Sequence, residues 1–152
     1  MFDNSEKLQV AIEAVVYIAL NGGGGPVQSR EITKRQDIAP RYLEPILQKL
    51  GRAGVVEGIR GPKGGYRLAR ERRRLTVGQI VRTILEDGDD ADGPSARLKK
   101  SELGRSVIEP FWNEAEREFL AYLDGVTVEE LCRRARVGGL APEPARPLDF
   151  SI

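Results

Sequence analysis

Residues 38–70 decide the fold, and they read IAPRYLEPILQKLGRAGVVEGIRGPKGGYRLAR. From about Pro40 to Arg52, large apolar side chains recur at i, i+3, i+4 and i+7, which predicts a helix with one buried face. These side chains are Leu43, Ile46, Leu47 and Leu50. Two short β-prone runs follow, at 55–59 and 66–69, and a glycine-rich segment separates them. The stretch therefore predicts a helix followed directly by a small hairpin.

The tip of this hairpin, residues 60–65, reads RGPKGG. Its glycines and proline favour a tight turn, and glycine also lets backbone N–H groups come close to a phosphate. The residues that we expect to contact an anion here are Arg60, Lys63, Gly64 and Gly65. The spacing G-x-x-x-x-G-K-[ST] of a nucleotide-binding loop is absent, which excludes that kind of site.

Further helices are predicted on both sides of this stretch. Apolar residues at helical spacing predict a first helix over residues 5–20, with Ser5 as its cap, and a run of glycines ends it. A short second helix is predicted over residues 30–36, with Ser29 as its N-cap. A fourth, over residues 75–85, is capped near Thr76. This order predicts a mainly α fold with a small β-hairpin wing, a winged helix-turn-helix domain over residues 1–85.

The C-terminal part of the chain is predicted to be a separate helical region. Residues 86–100 are rich in Asp and Gly and predict an acidic flexible linker. Residues 101–137 follow as helices, with a long aromatic stripe and a last short helix that begins after Thr127. The stripe includes Ile108, Phe111, Trp112, Ala115, Phe119 and Tyr122. Either it folds onto the first domain or it pairs with its copy, and we favour a homodimer. Residues 138–152 predict a loose tail that contains prolines.

The charge of the chain is unevenly distributed. The formal net charge is only +1, but residues 30–74 hold 13 Lys and Arg against five Asp and Glu. A basic segment joined to an acidic one indicates an anion-binding surface, and phosphate backbones are the commonest large polyanion. Because these charges accompany the helix and hairpin, we expect the partner to be double-stranded DNA.

Composition excludes several classes of function. The chain has no histidine, which removes Ser-His-Asp and Cys-His catalysis and any Cys₂His₂ zinc site. Cys132 is the only cysteine, so no internal disulfide forms, and a reducing cytoplasm is the expected compartment. No apolar run approaches the roughly 20 residues that span a bilayer, so we expect no membrane partner. We also expect no metal or other cofactor.

Three segments resemble the Rrf2 family of bacterial transcription regulators. They are residues 38–44, IAPRYLE, residues 50–56, LGRAGVV, and residues 60–69, RGPKGGYRLA. The last, written RGPxGGYxLA, is highly specific to the family. The resemblance covers the chain from the first helix to Leu131 and includes the aromatic helix around Trp112.

The resemblance implies a winged-helix homodimer that binds a promoter palindrome, most simply as a repressor. It implies that the third helix enters the major groove, that the wing lies in or beside the minor groove, and that Ser29 holds a phosphate. The candidates for reading bases are Arg41, Tyr42, Glu44 and Gln48. Packing of Tyr42 under the wing stays an open alternative to base contact. Many members have a Ser and a Gln where this chain has Ala39 and Pro45, so the resemblance does not imply the operator sequence.

The best-known branches of the family sense through an iron–sulfur cluster held by three cysteines between the wing domain and the dimer helix. Residues 86–104 contain no cysteine here, and thiolates are what hold such clusters. We therefore expect a branch without a cluster, which responds to an effector protein or small molecule. Cys132 is expected to be a buried apolar residue, with a redox contact between subunits as the alternative. The competing functions are a winged-helix protein-interaction module and, with little support, an enzyme.

Overall fold

The structure is a computed structural model, and it describes residues 4–86 and 101–140. The described helices and strands are α1 Ser5–Asn21, α2 Ser29–Gln36, α3 Pro40–Arg52, β1 Val56–Ile59, β2 Gly65–Leu68, α4 Val77–Leu85, α5 Glu109–Asp124 and α6 Val128–Val137. A 3₁₀ turn over Gly22–Gly24 follows α1, and a π-helical turn over Gly104–Ile108 precedes α5. The predicted mainly α fold with one β-hairpin is confirmed. Most of the predicted acidic linker, residues 87–100, and of the tail, residues 141–152, lies outside the described residues.

The core of the first domain forms where α1, α3 and α4 pack together. All four members of the stripe predicted on α3 are completely buried. Ala14, Val15 and Ile18 of α1 and Ile80 of α4 meet them with no exposed surface. Because complete burial of a Leu or Ile side chain contributes about 1.5–3 kcal/mol, this cluster fixes the orientation of α3. The opposite face of α3 is thereby turned to solvent.

Strands β1 and β2 form the wing, an antiparallel hairpin in which Gly58 lies opposite Tyr66 and Ile59 lies opposite Gly65. A backbone bridge ties the hairpin to the segment before α2. The Val27 N–H donates to the Tyr66 carbonyl at 2.8 Å, and the Tyr66 N–H donates to the Val27 carbonyl at 2.7 Å. The wing is therefore held against the start of α2 rather than projecting alone.

The α5–α6 junction is hydrogen-bonded to the start of α4. The Val77 N–H donates to the Val126 carbonyl at 2.8 Å, and the Val128 N–H donates to the Leu75 carbonyl at 2.8 Å. The two threonines between these residues, Thr76 and Thr127, are the N-caps of α4 and α6. The cap predicted at Thr76 is confirmed, and Gln79 completes it as a capping box.

Two other predicted caps are wrong. Ser5 is the first residue of α1 and Asn4 precedes it, with no side-chain cap bond. Ser29 is likewise the first residue of α2, and Gln28 occupies the N-cap position without a side-chain bond. Pattern alone places helix ends within one or two residues, which is the size of both errors.

Helix α5 has two different faces. Leu120 and Leu123 are partly buried against the core, while no residue of α5 is completely buried. The aromatic residues are exposed, and Phe111 and Tyr122 expose 62% and 66% of their surface. Pro110 is the second residue of α5 and lies directly after the π-helical turn, where its missing N–H is tolerated.

Candidate nucleic-acid interface

The exposed face of α3 carries every residue predicted to read bases. Burial of the leucine and isoleucine stripe turns the opposite side of this helix outward. The predicted residues Arg41, Tyr42, Glu44 and Gln48 are all exposed. Tyr42 exposes 39% of its surface, so its side chain is partly accessible on this face. This face offers a guanidinium, a phenol, a carboxylate and an amide at the spacing of adjacent helical turns.

Pro45 lies inside α3 on the same exposed face. It has no N–H to donate to the carbonyl of Arg41, so one hydrogen bond of the helix cannot form. Pro40, by contrast, begins the helix where its missing N–H costs nothing. The Arg41 carbonyl therefore lacks its usual donor within the helix. It lies on the side of α3 that carries the candidate base contacts.

The tip of the wing is a closed four-residue turn. The Gly64 N–H donates to the Gly61 carbonyl at 2.9 Å, with Pro62 and Lys63 at the centre of the turn. Arg60 and Lys63 are both exposed there, as expected for phosphate contacts. The turn chemistry thus presents two cations on a tip whose backbone is fixed.

Gly64 and Gly65 have a structural reason for being glycine that the sequence does not reveal. A Cβ at position 64 would lie 2.1 Å from the carbonyl oxygen of Ile59. A Cβ at position 65 would lie 2.5 Å from the carbonyl oxygen of Val27, and the φ angle there is +156°. Close backbone packing requires both glycines, whether or not a phosphate binds.

A groove of about 530 Å³ joins the wing to the start of α2. The predicted residues Ser29, Arg60, Gly64 and Gly65 all line it. Gln28 and Arg30 line it as well, and the Arg30 Nε donates to Gln28 Oε1 at 2.9 Å. The first N–H groups of α2 lie at the same place, so the groove combines two guanidinium groups with a helix N-terminus. This is the chemistry of a phosphate site.

The prediction from sequence missed Gln28 and Arg30. Their signal was their position beside Ser29 at the start of the basic segment, but only the Val27–Tyr66 bridge brings that position to the wing. Because at least 28 positions separate the two parts of the groove in the chain, no local pattern predicts it.

A second groove, of about 600 Å³, lies on the other side of the wing, between the hairpin and the C-terminal half of α3. Leu47 and Gln48 line it from the helix, and Glu57 and Tyr66 from the strands. Tyr66 lines both grooves and also packs against the core. The wing is therefore joined to α2 on one side and to α3 on the other, so the three elements form one continuous surface.

Cys132 lies apart from this surface, in α6, and none of its surface is exposed. Burial raises the pKa of its thiol, although the positive charge of Arg72 nearby acts in the opposite direction. The thiol is therefore protonated at neutral pH and shielded from solvent. Within residues 4–86 and 101–140, no three His, Cys, Asp or Glu side chains are grouped closely enough to hold a metal ion.

A winged helix-turn-helix with basic exposed elements defines the class of DNA-binding transcriptional regulators. The Rrf2 family model, described as an iron-dependent transcriptional regulator, matches residues 4–134. This chain belongs to the Rrf2 family. It is a DNA-binding transcriptional regulator and not an enzyme.

Individual relatives agree with this assignment. The HTH-type transcriptional regulator IscR of Aliivibrio salmonicida is 32% identical over 129 residues, which cover 84% of this chain and 75% of the relative. The structure of T. potens IscR matches with a TM-score of 0.70 at 30% identity and covers 90% of both chains. The structure of CymR, the global cysteine regulator of B. subtilis, matches with a TM-score of 0.61 at 28% identity, covering 86% of this chain and 95% of CymR. No described helix is long and apolar enough to cross a membrane.

Some members of a family of iron-dependent regulators need residues that hold iron. Iron–sulfur clusters are held by several thiolates, and this sequence has one cysteine, whose thiol is buried and protonated. These residues do not fit a cluster held by cysteines.

Proposed function

We propose that this regulator binds palindromic duplex DNA as a homodimer and represses a promoter by occupying it. The observation that carries the proposal is the continuous surface made by α2, the wing and α3, which the two grooves join. Most of this surface belongs to the basic segment of the chain, residues 30–74. An isolated basic patch binds many anions, whereas a helix flanked by a wing suits the groove and both backbones of a duplex.

In this proposal the exposed face of α3 lies in the major groove. Arg41 can donate two hydrogen bonds to guanine O6 and N7, and Glu44 can accept one from cytosine N4. Tyr42 and Gln48 complete the reading face. The groove between the wing and α2 holds a backbone phosphate through Ser29, Arg30 and Arg60, while Lys63 follows the adjacent backbone.

The salt dependence of binding tests the role of the wing. Each phosphate contact of a bound protein adds about 0.9 to the slope of log K against log salt concentration. We expect Arg60→Ala and Lys63→Ala each to weaken binding to all duplexes alike and to reduce that slope by about 1. Arg133→Gln, in α6, removes one positive charge away from the surface and serves as the control. If both wing variants bind like Arg133→Gln, the wing assignment is wrong.

The dimer is proposed from the two faces of α5. At about 100° per residue, the residues of the predicted stripe fall within one arc of about 100°, away from Asp124. They are Ile108, directly before α5, and Phe111, Trp112, Ala115, Phe119 and Tyr122 within it, and all six are exposed. An apolar stripe of this size on the outside of a domain marks an interaction surface. A second copy of the same helix is the occupant that matches a two-fold palindrome.

We also propose that the regulator senses its signal without an iron–sulfur cluster, through a partner protein or a small molecule. The single buried cysteine supports this, and its raised thiol pKa disfavours a direct redox contact between subunits. We expect protein purified without oxygen to be colourless and to contain no stoichiometric iron or sulfide. A brown protein with several iron atoms per dimer would overturn the proposal.

A further inference from the structure

An ion pair joins α4 to the C-terminal end of α5. The guanidinium of Arg82, on α4, faces the carboxylate of Asp124, the last residue of α5, with both nitrogens and both oxygens engaged. The Arg82 Nη2 donates to Asp124 Oδ2 at 2.9 Å, and the Arg82 Nη1 donates to Asp124 Oδ1. A paired contact of this kind fixes direction as well as distance, because the guanidinium and the carboxylate must be nearly coplanar.

The backbone of α4 next to this pair leaves room for the carboxylate of Asp124. Gly78 is buried in the first turn of α4, and a Cβ there would lie 1.9 Å from Asp124 Oδ1. Any larger residue at position 78 would push the carboxylate away. The hydrogen bond from Val77 to the Val126 carbonyl holds the same end of α5 from the other side. Three contacts thus anchor α5 where it ends.

Leu120 and Leu123 pack against the core beside this anchor, and the rest of α5 extends from it with its aromatic face exposed. A helix of 16 residues is about 24 Å long, so a tilt of about 10° at the anchor moves its far end by about 4 Å. That displacement is comparable to the rise of about 3.4 Å between base pairs. A small change of angle at Asp124 is therefore large enough to change which operator a dimer fits.

We propose that Arg82 and Asp124 are positioning residues that set the angle between α5 and the DNA-binding domain, and thereby the half-site spacing that the dimer prefers. The inference rests on the proposed dimeric, palindrome-binding function. It does not require the pair to stabilise the fold, since exposed ion pairs contribute little to stability. It requires only that, without the pair, α5 can adopt a wider range of angles relative to the DNA-binding domain.

The test measures spacing preference directly. Half-sites are first selected by the wild-type protein from random duplexes, and then placed in palindromes whose centre is lengthened or shortened one base pair at a time. We expect the wild type to prefer one spacing by about tenfold or more over its neighbours. Arg82→Gln and Asp124→Asn should each reduce that preference to within about threefold, and the double variant should be no worse than either.

Arg133→Gln is the matched control. Arg133 also makes a two-point pair with a carboxylate, that of Glu130, but both residues lie within α6. The control should keep the wild-type spacing profile. Gly78→Ala provides an independent variant, since it displaces the carboxylate without removing a charge, and it should also broaden the profile.

The outcomes separate the two proposals. If the wild type selects no palindrome, the proposed function fails. If the wild type selects a palindrome of defined spacing, and the folded Arg82→Gln, Asp124→Asn and Gly78→Ala variants keep that profile, then the function stands and the positioning role is overturned. A profile that broadens in all three variants but not in Arg133→Gln supports the positioning role.

Discussion

Gly65 shows how one residue without a side chain holds the wing in place. Its φ of +156° and the nearby Val27 carbonyl leave no room for a Cβ, and Tyr66 next to it makes both hydrogen bonds of the bridge to Val27. We expect Gly65→Ala to lower the free energy of unfolding by about 2–4 kcal/mol, through backbone strain and loss of the bridge. Gly23→Ala, with open space around its Cβ, should change it by less than about 0.5 kcal/mol. Urea denaturation measures both, and equal effects would contradict this account.

The environment of the Glu130 carboxylate makes the stability of the fold depend on pH in the acid range. Hydrogen bonds from Arg133 and then from Arg134 lower its pKa from the ordinary 4.5 to about 2. Since the unfolded chain binds this proton more readily, the pair stabilises the fold above pH 4.5, and that contribution is lost as the pH falls toward 2.

We therefore expect the melting temperature of the wild type to fall more steeply between pH 4.5 and 2 than that of Glu130→Gln. Carboxyl titration by NMR should place the midpoint of Glu130 near pH 2. A midpoint near 4.5 would refute the role of the two arginines.

Helix α3 carries its exposed proline at a cost in stability. A proline inside a helix is about 3 kcal/mol less favourable than alanine. We expect Pro45→Ala to raise the free energy of unfolding by about 1–3 kcal/mol, while Pro40→Ala, at the first position, changes it by less than about 0.5 kcal/mol. Chemical denaturation of the two variants checks this. If Pro45→Ala does not stabilise the protein, the missing hydrogen bond at Pro45 has no cost in stability, and the prediction is wrong.

Elements with a strong local signal could be predicted from the sequence. The stripe on α3 is buried as its spacing indicates, and the RGPKGG turn lies at the hairpin tip. Contacts between distant segments could not be predicted. The Val27–Tyr66 bridge and the Arg82–Asp124 pair join residues about 40 positions apart, and nothing in either local pattern marks a partner. The π-helical turn before Pro110 was missed because it has no periodic signature of its own.

In the proposed function, the surface that binds DNA and the surface that forms the dimer lie in different parts of the molecule. The basic surface belongs to α2, α3 and the wing, whereas α5 carries the exposed aromatic stripe and an excess of acidic residues. Helix α5 meets the first domain at the ion pair and the Gly78 contact with α4, and through Leu120 and Leu123, which pack against the core. A signal that acts on α5 would therefore reach the DNA-binding surface through the angle of that helix, without altering the residues that touch bases.

This separation predicts that the dimer can be broken without damage to the DNA-binding domain. Phe119→Glu places a charge within the aromatic stripe, so we expect a particle with the 16.8 kDa mass of one chain, where the wild type has twice that mass. Palindrome affinity should fall by about 10²-fold or more, because the two half-sites no longer bind as one event, while weak half-site binding at low salt persists. Asn113→Glu adds the same charge to the other side of α5 and should remain dimeric. Light scattering and binding to matched duplexes measure both, and a wild type with the mass of one chain, or a dimeric Phe119→Glu, would show that α5 is not the interface.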